Sequence, residues 1–145
     1  MKALVFLFIM VMLVECKPPI ENSTRFENND TIIGYRSESN GLAEIKLFLL
    51  KDNSFTFYLR IIPQPMSDDE DSCIHSTGIW NKNKNFVRLN FIKNGPSTYA
   101  IFDTNYSKKN EFNIINDSTV EINYKLSSIN IWGVVCDKME YKNAP

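Results

Sequence analysis

Three residue groups in this 145-residue chain carry side chains suited to chemistry. The first is Met66, Cys73 and His75: a thioether, a thiol and an imidazole are soft or borderline ligands of the kind that suits copper. They straddle an acidic stretch, and a crosslink would consume Cys73, so a partly exposed strand histidine is the plainer reading. The second group is the acidic stretch itself, Asp68, Asp69, Glu70 and Asp71. Carboxylate oxygens in a loop bind Ca²⁺, but four in succession do not all point at one ion, and no glycine supplies a sharp turn. Solvated loop charge is the expectation. The third is Cys73 with His75, two apart and so on one face of a strand, the minimum for a nucleophile and its base. There is one histidine in the chain, with no glycine-rich phosphate loop and no nucleophile elbow. The sequence thus points to no catalytic residues, no metal and no cofactor, and to a protein that is not an enzyme. The alternative is a secreted hydrolase or accessory factor built on the carboxylates near turns.

The N-terminal residues say where these groups would be deployed. Lys2 precedes an unbroken apolar run, Ala3 to Val14. Spanning a hydrocarbon core takes about 20 residues, so this shorter run fits the apolar region of a secretory signal. Cys16 closes it. With Leu13 three positions before, it resembles a bacterial lipoprotein signal, in which the cysteine is acylated and becomes the first mature residue; Glu15 stands where that signal has a small residue. The other reading is cleavage after Cys16, with Val14 and Cys16 at the −3 and −1 positions, giving a freely secreted protein. The expected organisation is a signal over residues 1–16 ending at the lipidated cysteine, a polar tether over 17–30 (KPPIENSTRFENND) and one domain over 31–145. A net charge of −1 gives no basic excess for phosphate backbones, which sets nucleic acid aside as a partner. Either processing route leaves Cys73 and Cys136 as a pair in an oxidising compartment, where a disulfide between them is expected; two unpaired buried thiols are the alternative. Sequons at Asn22, Asn29, Asn105 and Asn116 matter only in a eukaryotic source.

The elements that must position these residues have period two. Ile45, Leu47 and Leu49 alternate with Glu44, Lys46 and Phe48; Phe55, Phe57, Leu59 and Ile61 alternate with Thr56, Tyr58 and Arg60. Val87, Leu89 and Phe91, and later Val120, Ile122, Tyr124 and Leu126, repeat the pattern. Such alternation marks strands with one buried and one wet face. Turn residues fall between them, as in Lys51-Asp52-Asn53-Ser54 and Asn116-Asp117-Ser118. The pattern predicts eight or nine strands, at 31–37, 42–50, 54–62, 73–80, 86–93, 98–102, 111–115, 119–126 and 130–139. The fold class expected is all-β, an antiparallel meander closed or nearly closed into a barrel, with a β-sandwich as the alternative.

The series LFLLKDNSFTFYL, STGIWNKNKNFVRLNF and NIINDSTVEINYKL, with Gly78-Ile79-Trp80 as a Gly-x-Trp strand, resembles the hairpins of small lipocalin-like, NlpE-like envelope lipoproteins of Gram-negative bacteria. It covers about residues 31–139. The resemblance implies a barrel fold and membrane anchoring through Cys16. NlpE-type domains also carry a Cys-x-x-Cys motif that this chain lacks, so no copper role is implied. The function expected is a non-enzymatic envelope module, binding or structural, for a small apolar ligand or a partner protein. Phe55, Phe57, Trp80, Phe91, Tyr124 and Trp132 are the candidates to line a ligand pocket. A barrel simply filled by these bulky residues is the competing expectation.

Overall fold

Where alternation is clearest, strands form. Phe55, Phe57 and Leu59 are buried and the residues between them half exposed, and the same rhythm runs through Val87, Leu89 and Phe91. The computed structural model describes residues 30–38, 41–66, 72–92, 95–108, 110–139 and 141. In these lie β1 (Thr31–Ser37), β2 (Ala43–Leu50), β3 (Ser54–Ile61), β4 (Ser72–Asn83), β5 (Phe86–Phe91), α1 (Thr98–Ile101), β6 (Phe112–Asn116), β7 (Thr119–Asn123), β8 (Ser128–Ile131) and β9 (Val134–Met139). The nine strands form one antiparallel, strongly curled half-barrel sheet in the order β6-β7-β5-β4-β3-β2-β1-β9-β8. The protein is all-β, as the alternation implies. Cys16, residues 17–29 and the acidic stretch 68–71 lie outside the described residues.

The structure departs from the expected strands in three places. The strand expected over 119–126 ends at Asn123, and Tyr124 and Leu126 lie in the connection to β8. Residues 98–102 are not a strand: Thr98, Ile101 and Phe102 are buried at i, i+3 and i+4, the spacing of a helical face, and Thr98–Ile101 is the single turn α1. Residues 130–139 are not one strand but parts of two, folded at Trp132-Gly133. The chain leaves β5 through α1 and returns as β6 on the sheet edge, so β7 rather than β6 pairs with β5, while β9 pairs with β1.

The inside of the half-barrel is filled. Tyr35, Ile45, Leu47, Phe55, Phe57 and Leu89 are essentially inaccessible, and Phe91 meets Phe55 and Phe57 edge-on at ring distances of 5.0 and 5.9 Å. Ile101 and Phe102 join the same core. Between the edge strands β6 and β8 the chain supplies a polar clip. Glu111 is 1% exposed and accepts from the Asn130 backbone N–H at 3.0 Å and from its amide at 2.9 and 3.1 Å. The Trp132 N–H donates to the Ile101 carbonyl at 2.6 Å. The clip and α1 together occupy edges that would otherwise present unpaired backbone.

The expected Cys73–Cys136 disulfide does not form. Cys136 is a free, buried thiol on the inner face of β9, whereas Cys73 is on the outer, exposed face of β4. Strands β3, β2 and β1 intervene, and at about 4.8 Å per strand the separation far exceeds the reach of a disulfide. Burial pushes the Cys136 thiol up to about 12.

Candidate functional site

The aromatic residues expected around a pocket divide into three groups. Phe55, Phe57 and Phe91 are packed into the core. Trp80 and Tyr124 stand at the end of the half-barrel where β1 begins. The Trp80 indole N–H donates to the Leu50 carbonyl at 2.9 Å, and the Tyr124 hydroxyl to the Lys84 carbonyl at 3.3 Å. In the Gly-x-Trp segment, Gly78 leaves room for the Phe55 ring, so its role is packing. Trp132 lines an open cleft at the opposite end.

That cleft has a volume of about 430 Å³ and is lined by Leu42, Ile61, Ile62, Pro63, Gln64, Ser72 and Trp132. The size falls in the range of small-molecule sites. Three connections converge on it. Leu42 ends the β1–β2 loop, and its carbonyl accepts from the Ile62 N–H at 2.9 Å, extending the β2–β3 ladder past both strands. Ile62, Pro63 and Gln64 open the β3–β4 connection. The Gln64 amide donates to the Gly41 carbonyl at 2.9 Å and to that of Ile62 at 3.3 Å, strapping the two loops together. The third wall is the β8–β9 turn. There Trp132 has φ 52° and Gly133 φ 71°, the paired left-handed geometry of a two-residue hairpin turn. Glycine takes that conformation freely; tryptophan does not, and a bulky residue held there marks local strain. The turn is secured by the Trp132–Ile101 backbone hydrogen bond and by Tyr106, whose ring lies against Gly133. Leu42 and Trp132 remain 53% and 37% exposed, so the cleft offers unspent apolar surface.

No carboxylate is among the described residues that line it, and several acids elsewhere have their own partners. Glu121 accepts from Arg88 at 2.7 Å, and that bond holds its carboxyl below the usual range. Asp52 is likewise lowered by accepting from Ser54. Burial raises the Tyr35 phenol, whose hydroxyl donates to the Leu126 carbonyl at 3.4 Å. Met66 is fully exposed, and Cys73 and His75 share the outer face of β4. Among the described residues no group of three or more His, Cys, Asp or Glu side chains is placed to hold a metal ion. The sequence reading found Trp132 but missed Leu42, Ile62 and Pro63. The signal was present in Ile61-Ile62-Pro63, where two successive isoleucines break the alternation just before a residue that ends a ladder.

No family model, curated protein or solved structure matches this chain.

Proposed function

We propose that this protein is an exported, lipid-anchored module of the cell envelope that binds a small apolar ligand in the rim cleft. The apolar run ending at Cys16 supports export and anchoring. The observation that carries the binding reading is the cleft itself, with exposed Leu42 and Trp132 beside Ile61, Ile62 and Pro63. The filled interior moves the ligand from inside the barrel to its mouth. A protein that only needed stability would place Asn-Gly, not Trp-Gly, in a left-handed two-residue turn.

A fluorescent fatty acid titrated into the full chain tests this. Saturable binding is expected. Trp132→Asn should keep the fold, because Asn-Gly suits the turn, yet weaken binding about tenfold or more, the worth of a buried aromatic contact. Leu42→Lys, at an exposed position, should do the same. Absence of saturable binding would remove the ligand reading, and binding that ignores both substitutions would remove the cleft.

A further inference from the structure

The three walls of the cleft are not held in the same way. Two of them are strapped to each other, by the Gln64 amide on the Gly41 and Ile62 carbonyls and by the Ile62 N–H on the Leu42 carbonyl. The third, Trp132, follows β8, a four-residue strand at the end of the sheet that pairs with β9. Along a strand the backbone groups of residues i and i+2 point to the same side. On β8 these are the N–H groups of Asn130 and Trp132, and both donate across the seam of the half-barrel. Asn130 donates to the Glu111 carboxylate at 3.0 Å and Trp132 to the Ile101 carbonyl at 2.6 Å. A third contact continues the line, because a Cβ on Gly133 would stand 3.6 Å from the Tyr106 ring. Glu111, Ile101 and Tyr106 thus hold Asn130, Trp132 and Gly133 in turn.

The holding segment is itself fixed. Ile101 and Phe102 belong to the core, and Phe102 meets Phe112 edge-on at 5.5 Å. The Thr98 N–H donates to the Asp117 carbonyl at 2.9 Å, and the Glu111 carbonyl accepts from the Asn123 N–H at 2.8 Å. The side of the seam that can yield is therefore β8. Glu111 is 1% exposed and accepts three hydrogen bonds from Asn130. A carboxylate so buried needs its donors in place, and a half-satisfied network is costly. The clip is thus either made or open to water. Trp132 depends on it, because a tryptophan at φ 52° persists only where its surroundings hold it there. If β8 leaves the seam, the hydrogen bond to Ile101 is lost with it and the Trp132 wall is released.

We propose that Glu111 is a positioning residue of the cleft: through Asn130 it holds β8, and with β8 the Trp132 wall, so that closing the seam and forming the cleft are one coupled step. The inference rests on the cleft reading above and deepens it. Coupling of this kind is reciprocal. A ligand that packs against Trp132 also closes the seam, and a change that opens the seam weakens binding, although Glu111 is not among the described residues that line the cleft.

The test is fluorine NMR of the full chain carrying fluorotryptophan, in which Trp80→Phe assigns the resonances of Trp80 and Trp132. Glu111→Gln keeps the size of the side chain but puts a donor where Asn130 needs an acceptor. It should move or split the Trp132 resonance and leave that of Trp80, at the other end of the half-barrel, in place. Glu111→Asp keeps the charge on a side chain one carbon shorter; it should act in the same sense and serves if the Gln variant unfolds. In parallel, Glu111→Gln should weaken binding of a fluorescent fatty acid about fivefold or more, the lower end of such couplings. In a Trp132→Asn background the same substitution should change binding no further. An unmoved Trp132 resonance in both variants would overturn the positioning role, while the cleft reading stands if wild type still binds the probe. An equal loss of binding with and without Trp132 would also overturn it, since Glu111 would then act through general stability. A moved Trp132 resonance in a protein whose wild type binds no probe would support the positioning and count against the ligand alone.

Discussion

Removing the Glu111 carboxylate should open the half-barrel where its two edges are clipped together. Glu111→Ala deletes the acceptor of three hydrogen bonds from Asn130. Hydrogen bonds to a charged group are worth about 1.5–3 kcal/mol each, but two of the three share one amide nitrogen, so they do not add fully. The Asn130 amide then loses partners at a half-buried site, which costs about 1–3 kcal/mol more where water does not replace them. Together these give a loss of about 3–5 kcal/mol, a large share of the 5–15 kcal/mol that holds a typical domain. Asn130→Ala should cost less, because it removes the amide donor from a buried carboxylate but leaves the backbone N–H of residue 130 in place. The double variant should cost far less than the sum, since each single change already breaks the same clip. Urea unfolding followed by tryptophan fluorescence measures all three, with the denaturant slope checking that one transition is being compared. A loss below about 1 kcal/mol for Glu111→Ala, or strictly additive single variants, would refute the idea that this pair joins β6 and β8.

Three further outcomes follow from particular contacts. Gly78→Ala would put a Cβ 2.1 Å from the Asn90 carbonyl oxygen and 2.5 Å from the Phe55 ring; backbone cannot yield there, so urea unfolding should show a loss at or above the usual 1–3 kcal/mol of overpacking. Cys136, its thiol raised to about 12 by burial, should resist iodoacetamide in the folded protein at pH 8 and react once unfolded, read by mass mapping of that cysteine; its folded value lies above the unfolded one, so its contribution to stability is intact at neutral pH and lost as pH rises toward 12. Glu121 has the opposite sign: its folded value is held below 4.5 by Arg88, so its contribution is present above that pH and lost as pH falls through the lowered folded value. Arg88→Gln should therefore flatten acid unfolding below about pH 4.5, and an unchanged acid midpoint would count against the pair.

How much of this was readable from the chain depends on where phase information lies. Strands β3, β5 and β7 each bury one face, so their side chains declare both the element and its orientation; β2 keeps that rhythm only as far as Leu47, because Phe48, expected on the wet face, is buried along with Leu50. The later errors are also errors of phase. Ile129 and Ile131 face the core, and so do Val134 and Cys136; a continuous strand would have put Val135 inside instead. That one-residue slip marks the turn at Trp132-Gly133, but Trp is enriched in strands and its left-handed φ is imposed by packing, not by preference. Thr98, Ile101 and Phe102 carry the helical spacing of α1 in only three residues, too few to outweigh the alternating stretches around them. Cys73 was misplaced because the inner face of β4 is written in Ser76 and Gly78, which do not announce burial. The cleft is hidden for a deeper reason. Its walls come from residues 42, 61–64, 72 and 132, brought together only when the sheet curls. No local pattern encodes that meeting, whereas the core aromatics that looked like a pocket were legible because each lies in phase on its own strand. The physics that makes a residue readable, regular burial on one face, is the physics that spends it on the core. What remains for recognition is carried by residues that break the rhythm: Ile62 against Pro63, and a tryptophan in a glycine's conformation.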